Sequence, residues 1–148
     1  MVRNSRETAR RRRALNTFVK FMRAYASVTA RLEPEITKHG VTRTQFEVLE
    51  ALLHLGPMNQ RQLGEKILSS KGNITTVLDN LERDGLVERR PVEGDRRQKL
   101  VALTAAGRKR IRRIFPRQAD AIVREFGTLT SEEQRTLGEL CRKLGRGA

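Results

Sequence analysis

Residues 60–103 read QRQLGEKILSSKGNITTVLDNLERDGLVERRPVEGDRRQKLVAL, and a change of period inside this stretch decides the fold. Asn59 with Gln62 has the spacing of a reciprocal helix cap. Leu63 and Ile67 then recur inward over a helix from about Asn59 to Ile67. A break at Leu68-Ser69-Ser70 follows. Ile74, Val77, Leu78 and Leu81 fall at helical spacing, which predicts a second helix from about Ser70 to Arg83, stopped by Asp84-Gly85. Beyond it the period becomes that of strands. Leu86-Val87-Glu88-Arg89-Arg90 reads as a strand, Glu93-Gly94-Asp95 as turn chemistry, and Leu100-Val101-Ala102-Leu103 as a second strand. Helix, short turn, helix and a hairpin with a charged tip make a winged helix-turn-helix.

The flanks are helical. Leu15, Phe18, Met22, Tyr25, Val28 or Thr29, and Leu32 give one apolar stripe, so an amphipathic helix is expected from Leu15 to about Glu33. Pro34 should kink or end it, with a short turn through Ile36 and Thr37 before Gly40. Thr44 with Glu47 matches a capping box for the next helix, whose stripe is Phe46, Leu49, Leu52 and Leu53 and whose end is Gly56-Pro57. After the hairpin, Thr104 caps a long helix to about Phe126, kinked at Pro116, with Ile111, Ile114, Phe115, Ile122 and Val123 inside. A last helix runs from the Thr130/Ser131 cap to Leu144 and buries Leu137, Leu140 and Cys141. The fold class is mainly α with a small β-hairpin wing.

Composition narrows the partners. The chain has 148 residues with 31 Lys and Arg against 17 Asp and Glu, a formal net charge of +14. That excess calls for a polyanion, either nucleic acid or an acidic membrane surface. No apolar run is long enough for a membrane span, and no signal-type apolar stretch follows the basic start, so the expected location is the cytoplasm. The arginines Arg3, Arg6 and Arg10 to Arg13 precede the first apolar stripe instead of lining it, which disfavours a membrane surface. They suit an arm touching DNA phosphates, and equally a solvated tail. One cysteine, Cys141, excludes an internal disulfide, and with two histidines, His39 and His54, no metal site is expected. No nucleophile–base pairing and no glycine-rich phosphate loop is present, so an enzyme is not expected, nor a cofactor.

The chemistry sits on the second helix of the motif and on the wing. With its apolar residues pinned inward, that helix turns Asn73, Thr76 and Asn80 outward. Asn pairs with adenine edges and Thr touches thymine methyls. The opening Ser69-Ser70-Lys71-Gly72-Asn73 is small and polar, which allows close approach to DNA and suits a phosphate at the helix start. On the wing, an arginine on a stiff hairpin suits the narrow, electronegative minor groove. Asp95 is placed to hold Arg97 by bidentate bonding. The same residues would also serve as a solvated helix face and an ordinary charged turn.

Asp95-Arg96-Arg97, then Val101, then Leu103-Thr104, resembles the Asp-x-Arg…Val/Leu-x-Leu-Thr wing signature of the MarR family. The preceding Leu81-Glu82-Arg83-Asp84-Gly85-Leu86-Val87 is similar to that family's link from recognition helix to wing. The order of helices agrees over nearly the whole chain. The resemblance implies one domain over residues 1–148, with a DNA-binding lobe at 42–104 and dimerisation helices at 6–38 and 105–148. It implies a homodimer on a pseudo-palindromic operator, usually a repressor, released by a small phenolic, aromatic or oxidant signal. Carried over by position, Ser70, Lys71, Asn73, Thr75 and Thr76 would meet the major groove of double-stranded DNA. Arg97, braced by Asp95, would enter the minor groove beside Arg96, and Arg89 and Arg90 would meet phosphate. Phe18, Met22, Tyr25, His39 and Phe46 would line an effector pocket, or simply pack as core. Residues 72–80 resemble those of quinone- and catechol-responsive members, pointing to a phenolic or quinone-like effector. The family's thiol-switched branch has its cysteine in the first helix, where this chain has none, so Cys141 reads as a small buried hydrophobe. The rival class is an architectural protein that binds nucleic acid without sequence preference, for which an uncharged groove-facing helix is not needed.

Overall fold

The computed structural model describes residues 2–67 and 73–147. The chain divides into two compact units, residues 1–34 and 35–148.

The first unit is the bulk of helix α1, Val2–Thr37. Helix therefore begins well before Leu15 and takes in the arginine run, which was expected as an arm or tail. Arginine is a good helix former, and at these exposed positions nothing opposes that preference. Leu15, Phe18, Met22 and Tyr25 are exposed on α1, Phe18 at 60%. Pro34 does not end the helix at Glu33; α1 carries on to Thr37. A proline this close to a helix end removes one backbone hydrogen bond and leaves the rest intact.

The second unit opens on the turn that stops α1. The His39 and Gly40 amides donate to the Ile36 and Thr37 carbonyls at 3.1 and 3.0 Å. Gly40 takes φ +77°, which a side chain would resist. Helix α2, Arg43–Leu55, is capped by Thr42 and not by Thr44. The Thr42 hydroxyl accepts from the Gln45 amide at 3.2 Å, and the Gln45 side chain accepts from the Thr42 amide at 2.9 Å. Val41 and Phe46 flank this box and both belong to the core, the positions of a hydrophobic staple. Helix α3, Gln60–Lys66, has the Asn59/Gln62 box read from the sequence. Helix α4, Ile74–Arg83, follows.

Strands β1, Val87–Val92, and β2, Asp95–Leu103, pair antiparallel from Val87 opposite Leu103 to Pro91 opposite Lys99. The expected charged tip is thus itself strand, and the turn closes on Glu93 and Gly94, with Gly94 at φ +84°. Pro91 sits on the outer strand, where its missing amide costs no ladder bond. On the other side of β2, Met58 exchanges two backbone hydrogen bonds with Val101 at 3.2 and 2.9 Å.

Helix α5, Ala105–Phe126, starts at a Thr104 cap as expected. Its entry is tight: a Cβ on Gly107 would lie 1.8 Å from the Leu86 carbonyl oxygen. Helix α6, Ser131–Arg146, begins at a Thr130/Glu133 capping box. Val48, Leu49, Leu63, Leu78, Leu81, Ile111 and Ile114 have no solvent exposure and form the centre of one core. Each such side chain contributes about 1.5–3 kcal/mol of burial. Phe46 belongs to the same core.

Five positions on α5 and α6 that were expected in the core are not buried. Ile122 and Val123 are 40% and 71% exposed, and Leu137 and Leu140 are 38% and 59% exposed. Cys141 is exposed beside them. The α6 stripe is real, but among the described residues it stays exposed.

Candidate nucleic-acid interface

Helix α4 is held by its inner face and offers its outer one. Leu78 and Leu81 are buried in the core and Ile74 and Val77 pack against it. Helical spacing then leaves Asn73, Thr75 and Thr76 exposed, with Asn80 half-buried. Asn73 occupies the N-cap position without a side-chain cap bond. Ser70 and Lys71 lie outside the described residues. Thr75 is engaged from one side: the Gln60 Nε2 donates to its hydroxyl oxygen at 2.7 Å, tying the start of α3 to α4.

The wing residues divide by face. Arg89 was expected at phosphate, but it is committed inward. Its Nη2 donates to Asp79 Oδ1 at 2.7 Å and its Nη1 to Glu82 Oε1 at 3.0 Å. Its amide also donates to Glu82 Oε2 at 3.2 Å. Only 20% of its side chain is exposed. Burial works against the guanidinium charge, but the hydrogen bonds to Asp79 and Glu82 outweigh it and raise the pKa above the ordinary value. Arg89 is thus a strut between β1 and α4. Arg90 points the other way and forks onto Glu88 Oε1, its Nη2 and Nε at 2.6 and 2.8 Å.

Asp95 braces Arg97, though not as expected. Its Oδ1 accepts from the Arg97 amide at 2.9 Å, fixing the turn backbone and leaving the guanidinium available. Arg96 and Arg97 are both exposed. Neither Arg97 nor Lys99 has an ion pair among the described residues.

Arg97, Lys99 and Val101 alternate along β2 and so share one face, and Arg89 lies opposite Val101 in the ladder. Together with Gln60 they line a cleft of about 270 Å³. Sequence reasoning missed Gln60 and Lys99. Lys99 was readable, two residues beyond Arg97 in a strand; Gln60 needed the Met58–Val101 pairing, which brings the start of α3 beside β2.

Of the residues considered for an effector, Phe18, Met22 and Tyr25 stand exposed in the first unit, whereas Phe46 is core in the second. His39 is half-buried, and its Nε2 is buried without a hydrogen-bond partner among the described residues. Burial lowers its pKa below the ordinary value, helped by the nearby Arg117, Lys38 and Arg113.

The MarR family model matches residues 41–99, the span from the α2 cap through the wing cations. The Bacillus subtilis HTH-type transcriptional regulator YkoM is 37% identical over 133 residues, which are 90% of this chain and 86% of YkoM. The chain belongs to the MarR family. The HTH-type transcriptional regulator MhqR of Bacillus subtilis is 35% identical over 92% of this chain and 94% of its own length. Among solved structures, Streptomyces coelicolor Sco3205, a MarR family regulator in complex with DNA, superposes at TM-score 0.81 with 23% identity, covering 90% of this chain and 86% of Sco3205. Bordetella bronchiseptica BpsR, whose DNA binding is regulated by 6-hydroxynicotinic acid, gives TM-score 0.78 with 26% identity over 86% and 91% of the two chains. The MarR fold accounts for the helical frame and two-stranded wing, and this member is a DNA-binding transcriptional regulator. Homodimers and ligand responsiveness are typical of MarR proteins.

Proposed function

We propose that the protein binds a pseudo-palindromic operator as a homodimer and represses transcription from it, without enzymatic activity, in the cytoplasm. The observation that carries the proposal is the contrast between two neighbouring surfaces. The start of α4 presents Asn73, Thr75 and Thr76, exposed, polar and uncharged, with Asn80 half-buried further on and the charged Asp79, Glu82 and Arg83 confined to its second half, while the adjacent wing presents Arg96 and Arg97. Uncharged polar groups read base edges, and cations at the margins hold phosphate or the minor groove. An indifferent binder needs only the cations. In this proposal the lobe is residues 42–104, and residues 6–38 and 105–148 serve the dimer.

The dimer is supported by the apolar surface a lone chain leaves open. Leu137, Leu140 and Leu144 recur along α6 at 38%, 59% and 66% exposure, and Leu15, Phe18, Met22 and Tyr25 along α1. An exposed apolar stripe of this kind, on each of the two units taken by itself, marks an interface. Two recognition helices can then meet successive major grooves about 34 Å apart. A hydroxylated aromatic effector, as for BpsR, would act by favouring a different spacing, and only by as much as its affinity differs between the two.

The test is selection of bound genomic fragments by the purified protein at about 150 mM salt, where indifferent phosphate binding is weak. A pseudo-palindrome with half-sites one helical turn apart is expected. Fragments with no shared motif, and a specific-to-nonspecific affinity ratio near one, would move the protein to the architectural class. Titrating hydroxylated aromatic acids and quinones into the operator complex tests the effector; no release by any of them would remove that part.

A further inference from the structure

The two arginines expected at phosphate, Arg89 and Arg90, are held by carboxylates of the protein itself. The donors left at the wing root are those of the cleft. Val101, 1% exposed, is its apolar floor. Arg89 stands behind it, already balanced by Asp79 and Glu82, so those two carboxylates are occupied at the cleft's back. Lys99 and Arg97 project from the same face of β2 without ion pairs among the described residues. Gln60 gives one Nε2 hydrogen to Thr75 and keeps the other. An ammonium, a guanidinium and an amide hydrogen converging on a small space suit one phosphate oxyanion.

We propose that the cleft between the start of α3 and the wing seats a single phosphodiester of the DNA backbone, gripped by Lys99 and Gln60 with Arg97 at its rim. This rests on the reading of the chain as an operator-binding protein. The Gln60–Thr75 bond joins the seat to the recognition helix, so a phosphate held there would set how Thr75 and Thr76 enter the groove. Such a contact gives register, not sequence preference.

The experiment measures affinity for duplex DNA against salt for the parent, K99Q and Q60A, with K143Q on α6 as a control of equal charge change. On the selected operator, neutral methylphosphonates replace single phosphates in turn. K99Q should lower the salt slope by about one. K99Q and one particular methylphosphonate should each weaken binding, and together no more than either alone. Base preference should stay as in the parent. Q60A should weaken binding through the same phosphate with the slope unchanged. A K99Q slope equal to the parent's, an equal drop in K143Q, or additivity with every methylphosphonate would overturn the seat. Binding of inorganic phosphate by the DNA-free protein that needs Lys99, with no phosphate on the duplex singled out, would also overturn it in favour of a free anion site. A parent that prefers no sequence would sink the operator reading instead; the slope difference between K99Q and K143Q on any duplex would still decide the seat.

Discussion

Replacing Arg89 by Ala should loosen the wing from the recognition helix. The substitution removes two charge-assisted hydrogen bonds, at 2.7 and 3.0 Å, and leaves the backbone bond at 3.2 Å. In a dry site each such bond is worth about 1.5–3 kcal/mol. Here the Asp79 and Glu82 side chains are 60% and 44% exposed, so water recovers much of their solvation once the guanidinium has gone. An exposed pair gives only about 0.2–1 kcal/mol. Arg89 is 20% exposed and packs its stem as well, so the expected cost is about 1–2 kcal/mol, between those limits. For a chain of this size that is a fall of about 3–8 °C in Tm. Urea unfolding should show a lower midpoint with an unchanged slope. Arg90 is the internal comparison. It pairs only with Glu88, both near half exposed, and R90A should cost about 0–1 kcal/mol. R89K keeps the charge but cannot fork onto both carboxylates, so it should fall between parent and R89A. If R89A unfolds with R90A and the parent, the strut carries no energy and the account of the wing root is wrong.

Other substitutions test other joints. G107A should destabilise by about 1–3 kcal/mol in urea unfolding, because its Cβ would meet the Leu86 carbonyl at 1.8 Å; elsewhere in a helix the same change stabilises. Leu140→Asp touches an exposed position, so each chain should stay folded by circular dichroism while light scattering shows a shift from dimer to monomer and operator affinity drops. The folded chain resists protonation of His39, whose pKa is lowered by burial and by Arg117, Lys38 and Arg113, so stability should decline as pH falls below 6.5, where the unfolded chain takes up the proton. His39→Gln should flatten stability between about pH 7.5 and 5.5, and an unchanged profile would reject the assignment. Asn73→Ala should cost about 1–3 kcal/mol at one base pair and relax preference there, while Arg97→Ala should weaken operator binding; parental behaviour of both would void the groove assignment.

What the sequence disclosed was local, and what it hid was partnership. The change of period between Arg83 and Val87, the Asn59 box and the Thr104 cap depend on neighbours within four residues, and all stand in the structure. Thr42 and Thr44 both have a Glu or Gln three residues on, so spacing could not choose between their boxes. The structure takes the Thr42 box, with Val41 and Phe46 buried on either side of it. The partners of Arg89 were out of reach for a similar reason. A guanidinium on a wing suits phosphate and carboxylate equally, and its carboxylates lie 7 and 10 residues away on another element. The stripes of α5 and α6 were legible as apolar, but the pattern did not tell Ile111 and Ile114, which the core buries, from Ile122, Val123, Leu137 and Leu140, which stay exposed.

The strut, the seat and the joint at Thr104 bear on one question, how a ten-residue helix can read bases with any precision. Helix α4 is too short to hold its own direction, and only Leu78 and Leu81 are fully buried. It is fastened elsewhere. Near its start Gln60 holds Thr75; in its second half Arg89 holds Asp79 and Glu82. Beyond its end the Thr104 hydroxyl donates to the Gly85 carbonyl at 2.6 Å, locking the turn into the wing. The ties run to α3, to the hairpin and to the α5 cap that follows it, so helix and wing are positioned together. The ties also sort charge. The acids of α4, Asp79 and Glu82, are exposed but paired with Arg89, which offsets the repulsion they would exert on the DNA backbone, and the exposed groups at the start of the helix are uncharged. In the proposed complex, base reading falls to Asn73, Thr75 and Thr76 while Lys99 and Arg97 supply electrostatic hold from the side. A substitution at Arg89 should therefore disturb recognition twice, by releasing the wing and by leaving two carboxylates unpaired toward phosphate. The second effect predicts that R89A loses more affinity at low salt than at high salt, where the exposed charges are screened.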